Sequence, residues 1–148
     1  MVSLFQLFSI GIGPSSSHTV GPIRAARTFA TRLKDEFGLE SIGQVTVELY
    51  GSLAMTGIGH ATDKAILLGL EGELPEETDP NAVDSRVDRV GSEKTLFLLG
   101  SREIPFDPKI HLIFHKGKRL PYHSNAIRFK AFDSSGLLLV NQIYYSVG

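Results

Sequence analysis

The sequence predicts an α+β domain, with helices packed on one face of a mainly antiparallel sheet. Three observations predict it. Apolar residues recur at helical spacing in the first half, the last third is filled by short runs of strand character, and Asp133-Ser134-Ser135-Gly136 is a good hairpin turn between two of those runs. The chain has 148 residues, of which 42% are hydrophobic and 21% charged, so we expect residues 1–148 to form a single soluble domain with one core.

The elements follow in order. Ser3 to Phe8 reads as a helical turn capped by Ser3, and Gly11, Gly13 and Pro14 then force irregular backbone. From Pro22 to Phe37, Ile23, Ala26, Phe29, Ala30, Leu33 and Phe37 fall on one helical face, and Gly38 closes the helix. Arg24, Arg27, Arg32 and Lys34 then form a solvated face. Gln44 to Tyr50 alternates Val45, Val47 and Leu49 against Thr46 and Glu48, the pattern of a half-buried strand that Gly51-Ser52 ends. A loop follows, and Thr62 or Asp63 caps a second helix running to about Leu70. Gly72 to Asp79 is an acidic, turn-rich surface connection, and Asn81 to Val90 forms a short third helix whose charges predict exposure. Strands are expected at Thr95–Leu99, Glu103–Phe106, His111–His115, Ala126–Phe132 and Leu137–Tyr145, the third closed by a Lys116-Gly117-Lys118 turn.

Composition excludes several classes. A net charge of −1 favours neither nucleic acid nor an anionic membrane surface. No apolar run approaches the roughly 20 residues that span a bilayer. Val2 to Ile10 lacks a basic region ahead of its apolar residues, so a cytoplasmic protein is expected. There is no cysteine, which removes disulfides and thiolate ligands from this chain. Leu137 to Val147 is an apolar run that stops at Gly148, and it reads as part of something longer.

Gly13-Pro14-Ser15-Ser16-Ser17-His18-Thr19-Val20-Gly21-Pro22 is the densest collection of polar and conformationally special residues in the chain. It precedes a helix, where free N–H groups and the positive dipole end suit a carboxylate or phosphate. One such residue suffices for an N-cap; two Gly-Pro steps and a histidine are not explained by capping. His60 follows Gly57-Ile58-Gly59 and precedes a helix start, a place that lowers an imidazole's pKa and keeps it available as a base, with Asp63 near enough in sequence to orient it. The bland alternative makes His60 a loop residue and Asp63 a plain cap. His123 and Asn125 form a third candidate, weighed against ordinary turn chemistry. His111 and His115, four apart in a strand, share a face and read as surface residues. Gly11-Ile12-Gly13 is not a dinucleotide fingerprint, no Walker-type loop exists, and nothing beside Lys64 suggests a pyridoxal cofactor.

Ser3-Leu-Phe-Gln-Leu-Phe8, the Gly11–Pro22 block, Tyr50-Gly-Ser-Leu-Ala-Met-Thr-Gly-Ile-Gly-His-Ala-Thr-Asp63 and Tyr144-Tyr-Ser-Val-Gly148 together resemble the N-terminal, or beta, domain of iron–sulfur-dependent bacterial L-serine dehydratases. The resemblance runs along the whole chain in order. It implies removal of water from L-serine to give an aminoacrylate and then pyruvate and ammonia. A 4Fe-4S cluster on cysteines of a separate alpha domain would act as Lewis acid on the departing hydroxyl, while a base takes the α-proton. It further implies that Ser15, Ser16, Ser17 and Thr19 hold the substrate carboxylate, with His60 or His18 as base. Asp63, His123, Asn125 and Ser146 would complete the substrate site. Ser124 stands where the family usually has proline, which weakens the His123–Asn125 assignment. The full-length enzyme would be a homodimer, its partners L-serine and the alpha domain, and this chain alone would bind no iron and be inactive. A likeness to the allosteric substrate-binding domain of some phosphoglycerate dehydrogenases supports the alternative: a regulatory module that senses serine or another small carboxylate without catalysis. A base in a ligand-approaching loop separates the two, because a sensor has no need of His60.

Overall fold

A computed structural model describes residues 20–54, 61–77, 79–116 and 125–145. The first long element is helix α1, Val20–Phe37, two residues longer at its start than its apolar pattern. Ile23, Ala26, Phe29, Ala30 and Leu33 are fully buried on one side of it. Gly38 ends the helix with φ of 77°, a left-handed conformation that side chains with a Cβ resist. The chain then turns straight into strand β1, Ile42–Tyr50, whose Val45, Val47 and Leu49 point into the core.

Strand β1 is one of the two middle strands of a four-stranded sheet completed by β4 (Leu112–His115), β5 (Ala126–Asp133) and β6 (Leu138–Tyr145), in the order β4-β1-β5-β6. The β1–β5 and β5–β6 pairs are antiparallel and β1–β4 is parallel, so the fold is α+β with a mainly antiparallel sheet. The β5–β6 turn forms as its residues predict: Asp133 Oδ1 accepts from the backbone N–H groups of Ser135 and Leu137, each at 2.9 Å. Helix α1 lies on one face of the sheet, with the Phe29 and Phe129 rings stacked at 5.0 Å.

Helix α2, Ala61–Leu70, packs against α1 through a glycine. A Cβ on Gly69 would stand 2.3 Å from the Ile23 carbonyl oxygen and 2.7 Å from the Ala26 methyl, so only glycine lets the helices come this close. Thr62 and Asp63 are not flanking caps, as the sequence suggests; both sit inside the first turn, 1% and 3% exposed. The arginine face of α1 is partly engaged. Arg24 pairs with Glu76 at 3.0 Å, Arg27 donates to the Gly72 carbonyl at 3.1 Å and Arg32 to Glu36 at 2.7 Å.

Helix α3, Val83–Glu93, precedes a separate two-stranded hairpin of β2 (Thr95–Leu98) and β3 (Arg102–Pro105). Its charges do not simply face water. Glu71, 7% exposed, accepts from Arg86 at 3.0 Å, Arg89 at 2.6 Å and the Phe97 N–H at 2.9 Å. A buried carboxylate needs such partners, and here they tie α3 and the hairpin to the end of α2.

The expected strand over His111–His115 is corrected. Pro108–His111 is a helical turn, α4, and only Leu112–His115 is extended. Asp107 caps the turn by accepting from the Lys109 N–H at 3.0 Å, with Pro108 at the first helical position. The two histidines therefore share no strand face. His111 Nδ1 accepts from the Asp107 N–H at 2.8 Å and its ring lies 5.4 Å from that of Phe106, whereas His115 joins a different cluster.

Candidate functional site

The alternation of β1 and the register of its neighbours bring one row of residues together at the end of the sheet. Tyr50 pairs with His115 on one side and Ala126 on the other, and Ala126 pairs with Tyr145. The chain leaves or enters the sheet at this row in all four strands: after Tyr50 towards His60, after His115, before Ala126 from His123 and Asn125, and after Tyr145 towards Ser146. Helix α1 begins nearby. Gly21, Arg24 and Thr28 line a shallow cavity of about 400 Å³ with Ile143 and Tyr144, and the Ser15–Thr19 block immediately precedes that first turn in the chain.

Asn125 holds two of these segments together. Its Oδ1 accepts from the Ser52 N–H at 2.9 Å and from the Ser52 hydroxyl at 2.6 Å. The stretch that leads to His60 is thus anchored, at its first turn, to the stretch that follows His123. Asp63 lines a cavity of about 270 Å³ with Leu67, Val87, Lys94, Asp107 and Lys109, bordered by α3 and α4. Ser15, Ser16, Ser17, His18, Thr19, His60, His123 and Ser146 lie outside the described residues.

Beside the row is a cluster that the sequence reading did not single out. Glu48 receives His115 Nε2 at 2.9 Å, Lys130 Nζ at 3.2 Å and the Tyr50 hydroxyl at 3.2 Å, and the Tyr50 and His115 rings stack at 4.6 Å. Burial alone would raise the Glu48 carboxyl; the bonds from His115, Lys130 and Tyr50 and the Lys130 charge outweigh it and hold the pKa below the ordinary carboxylate value. The alternation of β1 does put Glu48 and Tyr50 on one face, two apart. Their meeting with His115 and Lys130 depends on strand pairings with no local signal. Burial likewise pushes the His111 imidazole below its usual value, with the Asp107 charge pulling partly back.

These residues offer hydrogen-bond donors, acceptors and a shielded charge. They do not fit an iron–sulfur cluster: the chain has no cysteine, and no three His, Asp or Glu side chains among the described residues come together as a metal site.

Comparison with known proteins shows the family. Residues 3–148 match the family described as serine dehydratase beta chain. The L-serine dehydratase of Streptomyces coelicolor is 52% identical over 147 residues, covering 99% of this chain and 32% of that protein. L-serine dehydratase 1 of Escherichia coli is 40% identical over 149 residues, again 32% of its length, and the L-serine dehydratase of Helicobacter pylori strain 26695 is 42% identical over 146, or 31%. The chain thus spans about a third of the length of the curated relatives it matches. No helix among the described residues is long and apolar enough to cross a membrane. With almost its whole length matched, this chain belongs to the serine dehydratase beta chain family.

Proposed function

We propose that this chain is the beta part of an L-serine dehydratase, contributing substrate-carboxylate binding and a base to a site completed by the rest of the enzyme. The observation that carries the reading is the common sheet end, the Tyr50–His115–Ala126–Tyr145 row, from which the chain runs on in sequence to His60 and Ser146 and at which it arrives from His123 and Asn125. Relatives named L-serine dehydratase supply the substrate.

In this reading Ser15, Ser16, Ser17 and Thr19 donate to the carboxylate of L-serine just ahead of α1, whose first N–H groups and dipole favour an anion there. His60 takes the α-proton, with His18 as the alternative base. The pair of electrons left on the α-carbon forms the double bond as the β-hydroxyl departs, and with a proton that hydroxyl leaves as water. The aminoacrylate then becomes an imine and is hydrolysed to pyruvate and ammonia. His123, Asn125 and Ser146 border the substrate, and Asp63, buried in the first turn of α2, completes that set. A 4Fe-4S cluster belongs, in this assignment, to the part of the enzyme outside this chain.

The test is His60→Ala in the full-length enzyme. Turnover should fall by about a hundredfold or more, the scale of a lost general base, while substrate affinity changes little and the acid limb of the pH profile moves or vanishes. A variant that keeps more than about half of its turnover refutes His60 and moves the base to His18. If the sheet-end residues bind serine while every base variant leaves turnover intact, the chain is a serine-sensing regulatory module instead.

A further inference from the structure

The sheet has two faces, and α1 covers only one. On the other, Gln44, Ile113, Leu138 and Asn141 are exposed and Thr46 half-buried, with no described helix against them. We propose that this open face is the docking surface for the remaining part of the serine dehydratase polypeptide, an inference that rests on the function proposed above.

Four features point to that occupant. About two thirds of each relative's length is unmatched by this chain, so a partner of that size exists in such enzymes. Glu48 is already neutralised by Lys130 at 3.2 Å and bonded by His115, so covering it strands no bare carboxylate. Arg128, by contrast, donates to Asn141 at 2.9 Å and meets no carboxylate among the described residues, which predicts an acidic side chain on the partner. The face also runs into the candidate site, since Tyr50, His115 and Tyr145 belong to both.

Area decides between this partner and a second copy. Three strands of eight or nine residues and one of four, spaced about 4.8 Å apart, give a footprint of roughly 450 Å², so about 900 Å² buried in all. That falls within the roughly 600–1,500 Å² of interfaces between domains of one protein. It falls short of the roughly 1,600 Å² of a standard interface between separate molecules.

The chain's lack of cysteine makes the test direct, because an introduced thiol is the only one it carries. Thr46→Cys and Gln44→Cys on the open face, and Lys34→Cys on α1 as the reference, are reacted with a maleimide and each site is read by peptide mass spectrometry. The full-length polypeptide is compared with this chain alone. Docking predicts that both open-face thiols react at least about tenfold more slowly in the full-length polypeptide while Lys34→Cys reacts equally in both. Equal rates at the open face overturn the proposal. Slow reaction in this chain alone that strengthens with concentration assigns the face to a second copy and also overturns it. Pyruvate formation from serine is measured on the same samples. A freely labelled face in an active enzyme removes the docking surface and leaves the function; a protected face without activity supports docking and removes the function.

Discussion

Replacing Gly69 by alanine tests whether the contact between α1 and α2 is as tight as its geometry states. The new methyl would lie 2.3 Å from the Ile23 oxygen and 2.7 Å from the Ala26 Cβ, whereas unstrained non-bonded carbon contacts sit near 3.5–4.0 Å. Both obstacles are fixed, one a helix backbone and the other a methyl with no rotamer to change. Relief therefore needs the helices to part by about 1 Å, which forfeits a quarter to a half of each dispersion contact across the seam. Overpacking of this kind costs about 3 kcal/mol at the upper end, and alanine returns about 1 kcal/mol of helix propensity. The net loss is about 2 kcal/mol, or roughly 4–8 °C in melting temperature for a domain of this size. Gly91, exposed in α3 with nothing within 4 Å of its added Cβ, is the internal control. Gly91→Ala should raise the melting temperature by a few degrees, about 1 kcal/mol. Thermal unfolding followed by circular dichroism reads both variants. A Gly69→Ala protein that melts with or above the parent would refute the claim that α1 and α2 touch backbone to backbone.

Further outcomes follow from the site and its surroundings. In the full-length enzyme, Ser16→Ala and Ser17→Ala should each raise the Michaelis constant, because each removes a hydrogen bond to a charged group worth roughly 1.5–3 kcal/mol; unchanged constants with a lower melting temperature would leave the block a helix cap. Asn125→Ala removes the acceptor of both Ser52 bonds, so amide exchange at Ser52 should quicken by about fivefold, for a bond worth about 1 kcal/mol. An unchanged Ser52 rate would deny Asn125 its anchoring role. His111 must be neutral at Nδ1 to accept from Asp107, and burial lowers its pKa. Its contribution is therefore complete above the ordinary value of 6.5 and is lost as pH falls through that range towards the lower folded pKa. The melting temperature of the parent should drop more than that of His111→Leu between about pH 7.5 and pH 5.5, and equal drops would contradict the assignment.

The elements with a local cause were legible in the sequence. Helix α1 follows from Ile23, Ala26, Phe29, Ala30 and Leu33 at helical spacing closed by Gly38, and the β5–β6 hairpin from an Asx turn whose bonds span four residues. The helical turn at Pro108 had its signal too, Asp107 before Pro108, but the apolar run from Ile110 onwards has the period of a strand and masked it. The buried Glu71 was hidden for another reason. Its partners Arg86, Arg89 and Phe97 lie far along the chain, and an acidic residue in a charged stretch reads as solvated until the fold closes on it. The same holds for Glu48, whose partners come from β4 and β5. For the site, the sequence pointed to the segments; the register of β1 with β4 and β5, which makes them neighbours, has no local code.

That register also sets when the domain can form during synthesis. Val47 pairs with Leu112 and Phe129, so a middle strand made early has both its neighbours made late. At about 5–20 residues per second, the roughly 80 residues between Val47 and Phe129 take about 4–16 s to emerge from a ribosome. Val47 and Leu49 have no strand partner until β4 arrives, about 65 residues after Val47, and Val45, which pairs with β5 alone, waits longer still, so loop closure over these separations is rewarded only late. Native structure is therefore gained nearly at once and nearly at the end, which makes nascent chains dependent on whatever shields an apolar strand in the meantime. Ribosome-stalled chains ending at residue 124 should be digested by protease across β1, and resistance there would show that β1 is protected before β5 exists.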